Sequence, residues 1–154
     1  MKLRSSEGRR WAFFKKYEIF RHDDFAMEEV YLRRWRLIES PYFGVKIHHI
    51  ILSDADTLGY HDHPWDFISF RLWGNYSERR LDARDHEFRS RSTFFVVRRA
   101  EDLHLVEVDR EGKGAWRLVI NGPRRRQWGF RYKGGPWRDQ MMVNRPNNVI
   151  EEGE

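Results

Sequence analysis

The sequence predicts an all-β domain with short helical ends, and three observations predict it. Runs of alternating or continuous apolar residues, four to nine long, recur through the middle of the chain. Turn formers separate them, among them Ser40-Pro41, Gly74-Asn75 and Asn121-Gly122-Pro123. Their close and regular spacing suits a sandwich or barrel, not a βαβ unit. At 154 residues, 40% of them hydrophobic and 16% aromatic, the chain is long enough for one domain with a sizeable core.

The elements follow in order. Residues 9–29 mix aromatic and charged positions at roughly helical spacing, which predicts a helical or irregular extension, with Asp23-Asp24 capping a turn over 25–29. Residues 31–39 are strand-like and stop at Ser40-Pro41. Residues 45–53 form the clearest strand, with Val45, Ile47, His49 and Ile51 on one apolar face. After a loop over 54–60, residues 67–73 make the next strand, and Gly74-Asn75 turns the chain into 76–81. Further strands are expected at 87–91, 93–97, 103–108, 116–120 and 127–132. The tail is expected to hold one helical turn over 139–143 and then fray.

Composition narrows the function classes. The absence of cysteine excludes disulfides, thiolate ligands and cysteine nucleophiles, and it fits a cytoplasmic protein. No apolar run approaches the roughly 20 residues that span a bilayer. Lys15 and Lys16 interrupt Trp11-Ala12-Phe13-Phe14 before a signal-peptide core forms. The net charge of +5 invites a nucleic-acid reading, but arginine outnumbers lysine 23 to 6 and acidic residues are interspersed throughout. The densest basic cluster, Arg124-Arg125-Arg126, reads better as a solvated turn than as a nucleic-acid contact.

Residues 59–74 carry the chemistry. His61 and His63 lie one residue apart before a strand, and residues i and i+2 of an extended chain share a face, so both imidazoles can converge on one ion. His104 adds a third, sharing the apolar face of its strand with Val106 and Val108, where a buried imidazole needs a metal or a hydrogen-bond partner. His49 is a fourth candidate under the same ambiguity. Such a set suits a divalent Fe, Mn, Ni, Cu or Zn ion. Of the nearby carboxylates Asp62, Asp66 and Glu78, Asp62 should point away from the histidine pair. Asp66 reaches the site only through a bulge at Pro64, and otherwise caps a turn or orients a ligand. His22, His48 and His86 read as surface or turn residues. Trp65, Phe67 and Trp73 read as core, and Arg71, Arg98 and Arg99 as arginines suited to an anionic substrate.

These residues resemble the first cupin motif, with His61, His63 and the closing Gly74, and the second motif's histidine falls on His104. More closely, the chain resembles small cupin-like proteins (RmlC-like jelly rolls) of bacteria and phages. Their shared phrases read here as Tyr31-Leu32-Arg33-Arg34-Trp35-Arg36-Leu37, His61-Asp62-His63-Pro64-Trp65-Asp66-Phe67 and Arg98-Arg99-Ala100-Glu101-Asp102-Leu103-His104. The likeness continues through Trp116-Arg117-Leu118-Val119-Ile120-Asn121-Gly122-Pro123 and Trp128-Gly129-Phe130. It implies a double-sheet jelly roll over residues 31–138, flanked by a 1–30 extension and a 139–154 tail.

Two departures stand out. The motif's glutamate falls on Phe67 or Ile68, and Glu101 and Arg99 replace the glycine and proline expected before His104. Three outcomes stay open: a three-histidine site, a site completed by Asp66 or His49, or a metal-free pocket. The leading expectation is a metal-dependent enzyme, oxygenase- or isomerase-like, acting on a small molecule, with Arg71 and Arg99 as substrate contacts. The alternatives are a non-catalytic small-ligand or sugar-binding module and, behind it, a nucleic-acid-associated accessory protein. A homodimer is expected from the resemblance alone.

Overall fold

Strands that alternate side chains between two faces need partners on one of them, and here two sheets supply each other's. The computed structural model describes residues 11–22, 28–54, 59–109, 112–140 and 149–151. In chain order the strands are β1 (Ala12–His22), β2 (Glu28–Glu39), β3 (Gly44–Ile50), β4 (Tyr60–His61), β5 (Phe67–Trp73), β6 (Tyr76–Leu81) and β7 (Glu87–Arg91). Then come β8 (Phe95–Arg98), β9 (Leu103–Val108), β10 (Ala115–Asn121), β11 (Gly129–Arg131), β12 (Trp137–Asp139) and β13 (Val149–Glu151). One sheet runs β13-β1-β2-β3-β10-β5-β8 and the other β12-β11-β4-β9-β6-β7, with every pairing antiparallel. The all-β expectation holds. No helix is long and apolar enough to cross a membrane among the described residues.

Rows of paired residues order the inner face of the larger sheet. Leu32, Ile50 and Ala115 form one row, Arg34, His48 and Arg117 the next, and Arg36, Lys46 and Val119 a third. Ile50 and Ala115 of the first row meet Tyr76, Val106 and Val108 of the other sheet in an apolar cluster that closes one end of the interior. Beyond it the interior turns polar. Arg117 lies over the Tyr76 ring at 5.2 Å and donates to Ser69 Oγ, and Arg98 reaches across to Glu78.

This orientation reverses the expectation for β3. The face carrying Lys46 and His48 turns inward, and the face carrying Ile47 and His49 turns out. On the outer face the His49 ring stacks on Trp116 at 4.3 Å, and Trp116 stacks on Trp35 at 5.1 Å, so aromatic neighbours on the same sheet cover part of the apolar surface. Inside, Arg34 Nε donates to His48 Nε2 at 3.0 Å. Polar groups that satisfy one another thus occupy the space an apolar face was expected to fill.

The N-terminal helix is also corrected. Residues 12–22 form β1, which pairs with β2 from Ala12↔Glu39 to His22↔Glu28 with one register shift. The ladder satisfies its backbone, and an Arg33–Glu18 ion pair of 2.8 Å ties its outer side chains. Tyr17 and Ile19 line the interior, so the aromatic and charged pattern that imitated a helix is strand alternation. Of the expected 25–29 turn, Glu28 and Glu29 belong to β2 and the rest lies outside the described residues. At the other end Asp139 closes β12, residues 141–143 lie outside the described residues, and Val149–Glu151 pairs with β1 where fraying was expected.

Gly74 joins β5 to β6 with φ of 71°, and a Cβ there would stand 2.6 Å from the Gly114 carbonyl oxygen. Both features require glycine. Gly74→Ala is expected to lower the unfolding free energy by about 1–3 kcal/mol. Urea denaturation checks this, and an unchanged midpoint refutes it.

Candidate metal centre

His61 ends the two-residue strand β4, where it pairs with His104 of β9 on one side and Phe130 of β11 on the other. The chain stays extended for two more residues because Asp62 N–H donates to Gly129 O at 3.1 Å and His63 N–H to Ala100 O at 2.9 Å. His61 and His63 therefore face the interior together. Asp62 between them points the opposite way, as expected, and is buried. Its carboxylate accepts from the Gly129 N–H at 2.7 Å, Arg126 at 2.6 Å and the Trp137 indole at 2.8 Å. Alternate residues of one motif thus do separate jobs.

The three imidazoles converge. His63 Nε2 and His104 Nε2 are 2.8 Å apart, and one ligand atom from each of His61, His63 and His104 lies within 4.8 Å of the others. For comparison, two nitrogens bound at about 2.1 Å to one ion at a right angle are about 3.0 Å apart. Carboxylates stand behind two of the rings: His104 Nδ1 is 3.4 Å from Glu78 Oε1, and His61 Nδ1 is 3.5 Å from Asp54 Oδ2. A proton on each Nδ1 would face these carboxylates and leave each Nε2 lone pair directed inward. Burial first, then the neighbouring His104 and His61, hold the His63 pKa well below the usual histidine range, so its ring is neutral, as a ligand must be.

Glu78 is ionised although only 1% exposed. Burial opposes its charge, but His104 and Arg98, by hydrogen bonds and by charge, outweigh that and bring its pKa down to about 2. Arg98 Nε donates to Glu78 Oε2 at 3.0 Å, and Nη2 donates to the same oxygen. Glu78 stands behind His104 and outside the group of three histidines. The position of the motif glutamate is filled by Phe67, whose ring sits edge-on to His63 at 4.8 Å. Its neighbour Ile68 lies on the opposite face of β5.

The structure leaves the other candidates outside this group. His49 Nε2 bonds Lys113 O at 2.8 Å on the outer face. Asp66 Oδ1 accepts the Ala100 N–H at 2.8 Å and its side chain is 48% exposed, so it ties the two motif loops together without reaching the histidines. Arg71 is exposed, donating to Asn75 Oδ1 at 2.7 Å, and Arg99 is exposed beside Asp102. His48 is not a surface residue but an inward one, while His86 is exposed beside Asp82 in a turn, as expected. Trp73 is 53% exposed and outside the core, and Trp65 lines an interior cavity. The triple-arginine segment is engaged within the protein, Arg124 with Gln127, Arg125 with Glu101 and Arg126 with Asp62. Sequence reasoning missed Asp54 and the inward cations Arg34, Arg36 and Lys46. The only signal for the last three was a polar residue at every second position of 34–36 and 46–48.

No family model matches the chain, and no curated protein matches it in sequence. Solved structures do match. Fe(II) HppE in complex with substrate is 11% identical, with 79% of this chain and 60% of that one covered and a TM-score of 0.52. The DMSP lyase DddQ from Ruegeria pomeroyi is 12% identical over 77% and 64% of the two chains, with a TM-score of 0.51. An RmlC-like cupin from Shewanella frigidimarina is 12% identical over 71% and 86%, with a TM-score of 0.45. The fold is a cupin jelly roll. The matched region spans less than two thirds of the HppE and DddQ chains.

Within this fold, Asp62 is placed to hold β11 and β12 against the loop that carries His61 and His63. Asp62→Ala leaves the Arg126, Trp137 and Gly129 donors without their acceptor, and is expected to cost about 3 kcal/mol or more in unfolding free energy. Equal losses for Asp62→Ala and the exposed Asp66→Ala in urea denaturation would show that Asp62 has no such role.

Proposed function

We propose that the protein is a metal-dependent cupin enzyme that holds one divalent ion on His61, His63 and His104 and acts on a small molecule. The observation that carries this is the pair of Nε2 atoms of His63 and His104, 2.8 Å apart with His61 beside them. At that separation one cation can take the lone pairs of both Nε2 atoms, in place of the N–H···N hydrogen bond that the two rings otherwise share. The donor set fits such an ion: three nitrogens on one side, carboxylates behind two of them, and no further histidine or carboxylate in the group among the described residues.

Bound there, the ion would supply Lewis acidity, or electron transfer if it is redox-active. The protein's own residues set the conditions around it. Glu78 and Asp54 hold the tautomers of His104 and His61, and Phe67 keeps the side of the missing glutamate apolar. A fold that also houses Fe(II) in HppE supports the reading.

Elemental analysis of protein purified without a histidine tag is expected to find about one divalent ion per chain, and less than a tenth of that in His61→Ala, His63→Ala or His104→Ala. Wild-type protein without stoichiometric metal, or variants that keep it, would overturn the proposal. Glu78→Gln should retain the site but weaken metal affinity by about 10- to 100-fold, read by competition with a chromophoric chelator.

A further inference from the structure

A half-open cavity of about 230 Å³ is walled by Arg34, Arg36, Lys46 and Trp65, with Glu39, Tyr17 and Ile19. Its volume is that of about eight waters, enough for a small molecule and too little for a polymer. Three cations line it against one carboxylate. Glu39 is shared between Arg36 at 3.4 Å and Lys46 at 3.7 Å, and the other partner of Arg36 is the Tyr17 hydroxyl. Arg34 has no carboxylate within ion-pairing distance among the described residues. It donates to His48 Nε2, on a ring that burial first, and then Arg34 and Lys46, keep neutral. The walls therefore carry a net charge of about +2, three positive groups less one negative.

Charge this deep asks for a counter-charge. The Lys46 side chain is 4% exposed, and burial first, then Arg34, brings its pKa down to about 8. The Trp65 ring, 4.0 Å from Lys46 Nζ, holds the ammonium at the cavity wall. Trp65 is two residues beyond His63, so one loop serves both the histidine group and the cavity. Arg34 is close enough for its charge to act on His63.

We propose that this cavity binds the dianionic group, a phosphate or phosphonate, of a small substrate whose other end faces the three histidines. Two guanidinium forks and an ammonium match the charge and the tetrahedral oxygens of such a group, whereas a single carboxylate leaves one positive charge unpaired. The clause about the histidines rests on the metal-enzyme reading above; the anion site does not.

The test is calorimetric titration of the full chain with inorganic phosphate at pH 7.5, both metal-loaded and after chelator treatment, with acetate as the monoanion. Phosphate is expected to bind both forms, at least tenfold more tightly than acetate. Lys46→Met and Arg34→Gln should each raise its dissociation constant at least tenfold while leaving metal content unchanged. Glu39→Gln removes the competing carboxylate and should tighten binding at least threefold, a gain that misfolding cannot imitate. No phosphate binding by the wild type, binding that Lys46→Met leaves unaltered, or binding that vanishes with the metal would each overturn the anion site. Phosphate binding that follows these variants in a protein without metal would keep the site and remove the metal reading.

Discussion

An ionised glutamate at 1% exposure requires close partners, and Glu78 has two, the Arg98 guanidinium from one sheet and the His104 ring from the other. Arg98 arrives on β8 of the larger sheet and His104 on β9 beside Glu78 in the smaller one. The electrostatic cost of burying this carboxylate is offset only when both are in place, so the same requirement docks the sheets and sets which nitrogen of His104 carries its proton. The histidine group depends on that proton. With His104 Nδ1 occupied, Nε2 faces His63, and three imidazoles rather than two share one space. A carboxylate that binds no ion thus orders the residues suited to binding one.

Asp62 solves a matching problem on the other side of the motif. β4 is only two residues long and has little ladder of its own. The Asp62 carboxylate makes up for this by gathering the Gly129 amide, Arg126 and Trp137 behind the loop. Arg126 belongs to a segment that reads as a solvated turn, and in the folded protein it ties to the buried Asp62. The two sides of the short extended stretch from His61 to His63 are in this sense one device, with an anionic anchor outside and neutral donors inside.

Much of this was legible in the chain. Four strands, β5, β6, β7 and β9, begin and end where turn residues and alternation place them, because hairpin boundaries depend on local backbone preferences. The spacing of His61 and His63 and the apolar strand face around His104 selected the three histidines, the cupin motifs fell on the same residues, and their convergence follows from strand periodicity plus one register pair, His61↔His104. The errors share a physical cause. Residues 12–22 have a pattern that two periods fit, and only the β2 ladder decides for strand. His49 shares a face with Val45 and Ile47 as the alternation requires, but that face was taken to be the inward one, and His48 to lie at the surface. Asp54 lies seven residues before His61 and meets it only because Val106 pins it, through the Asp54 N–H to the Val106 carbonyl and the Val106 N–H to the Asp54 carboxylate, 2.8 and 2.6 Å long.

By itself the sequence determined which residues share a face, where the chain turns and which side chains are able to ligate, since these follow from bond geometry over a few residues. Only the tertiary structure decided which face looks inward. That choice compares the whole interior with the whole exterior, including cations that can be buried because other strands bring them partners. It placed Phe67 where a ligand was expected, and it put Arg34 and Arg36 on the cavity wall while leaving Arg71 and Arg99 exposed.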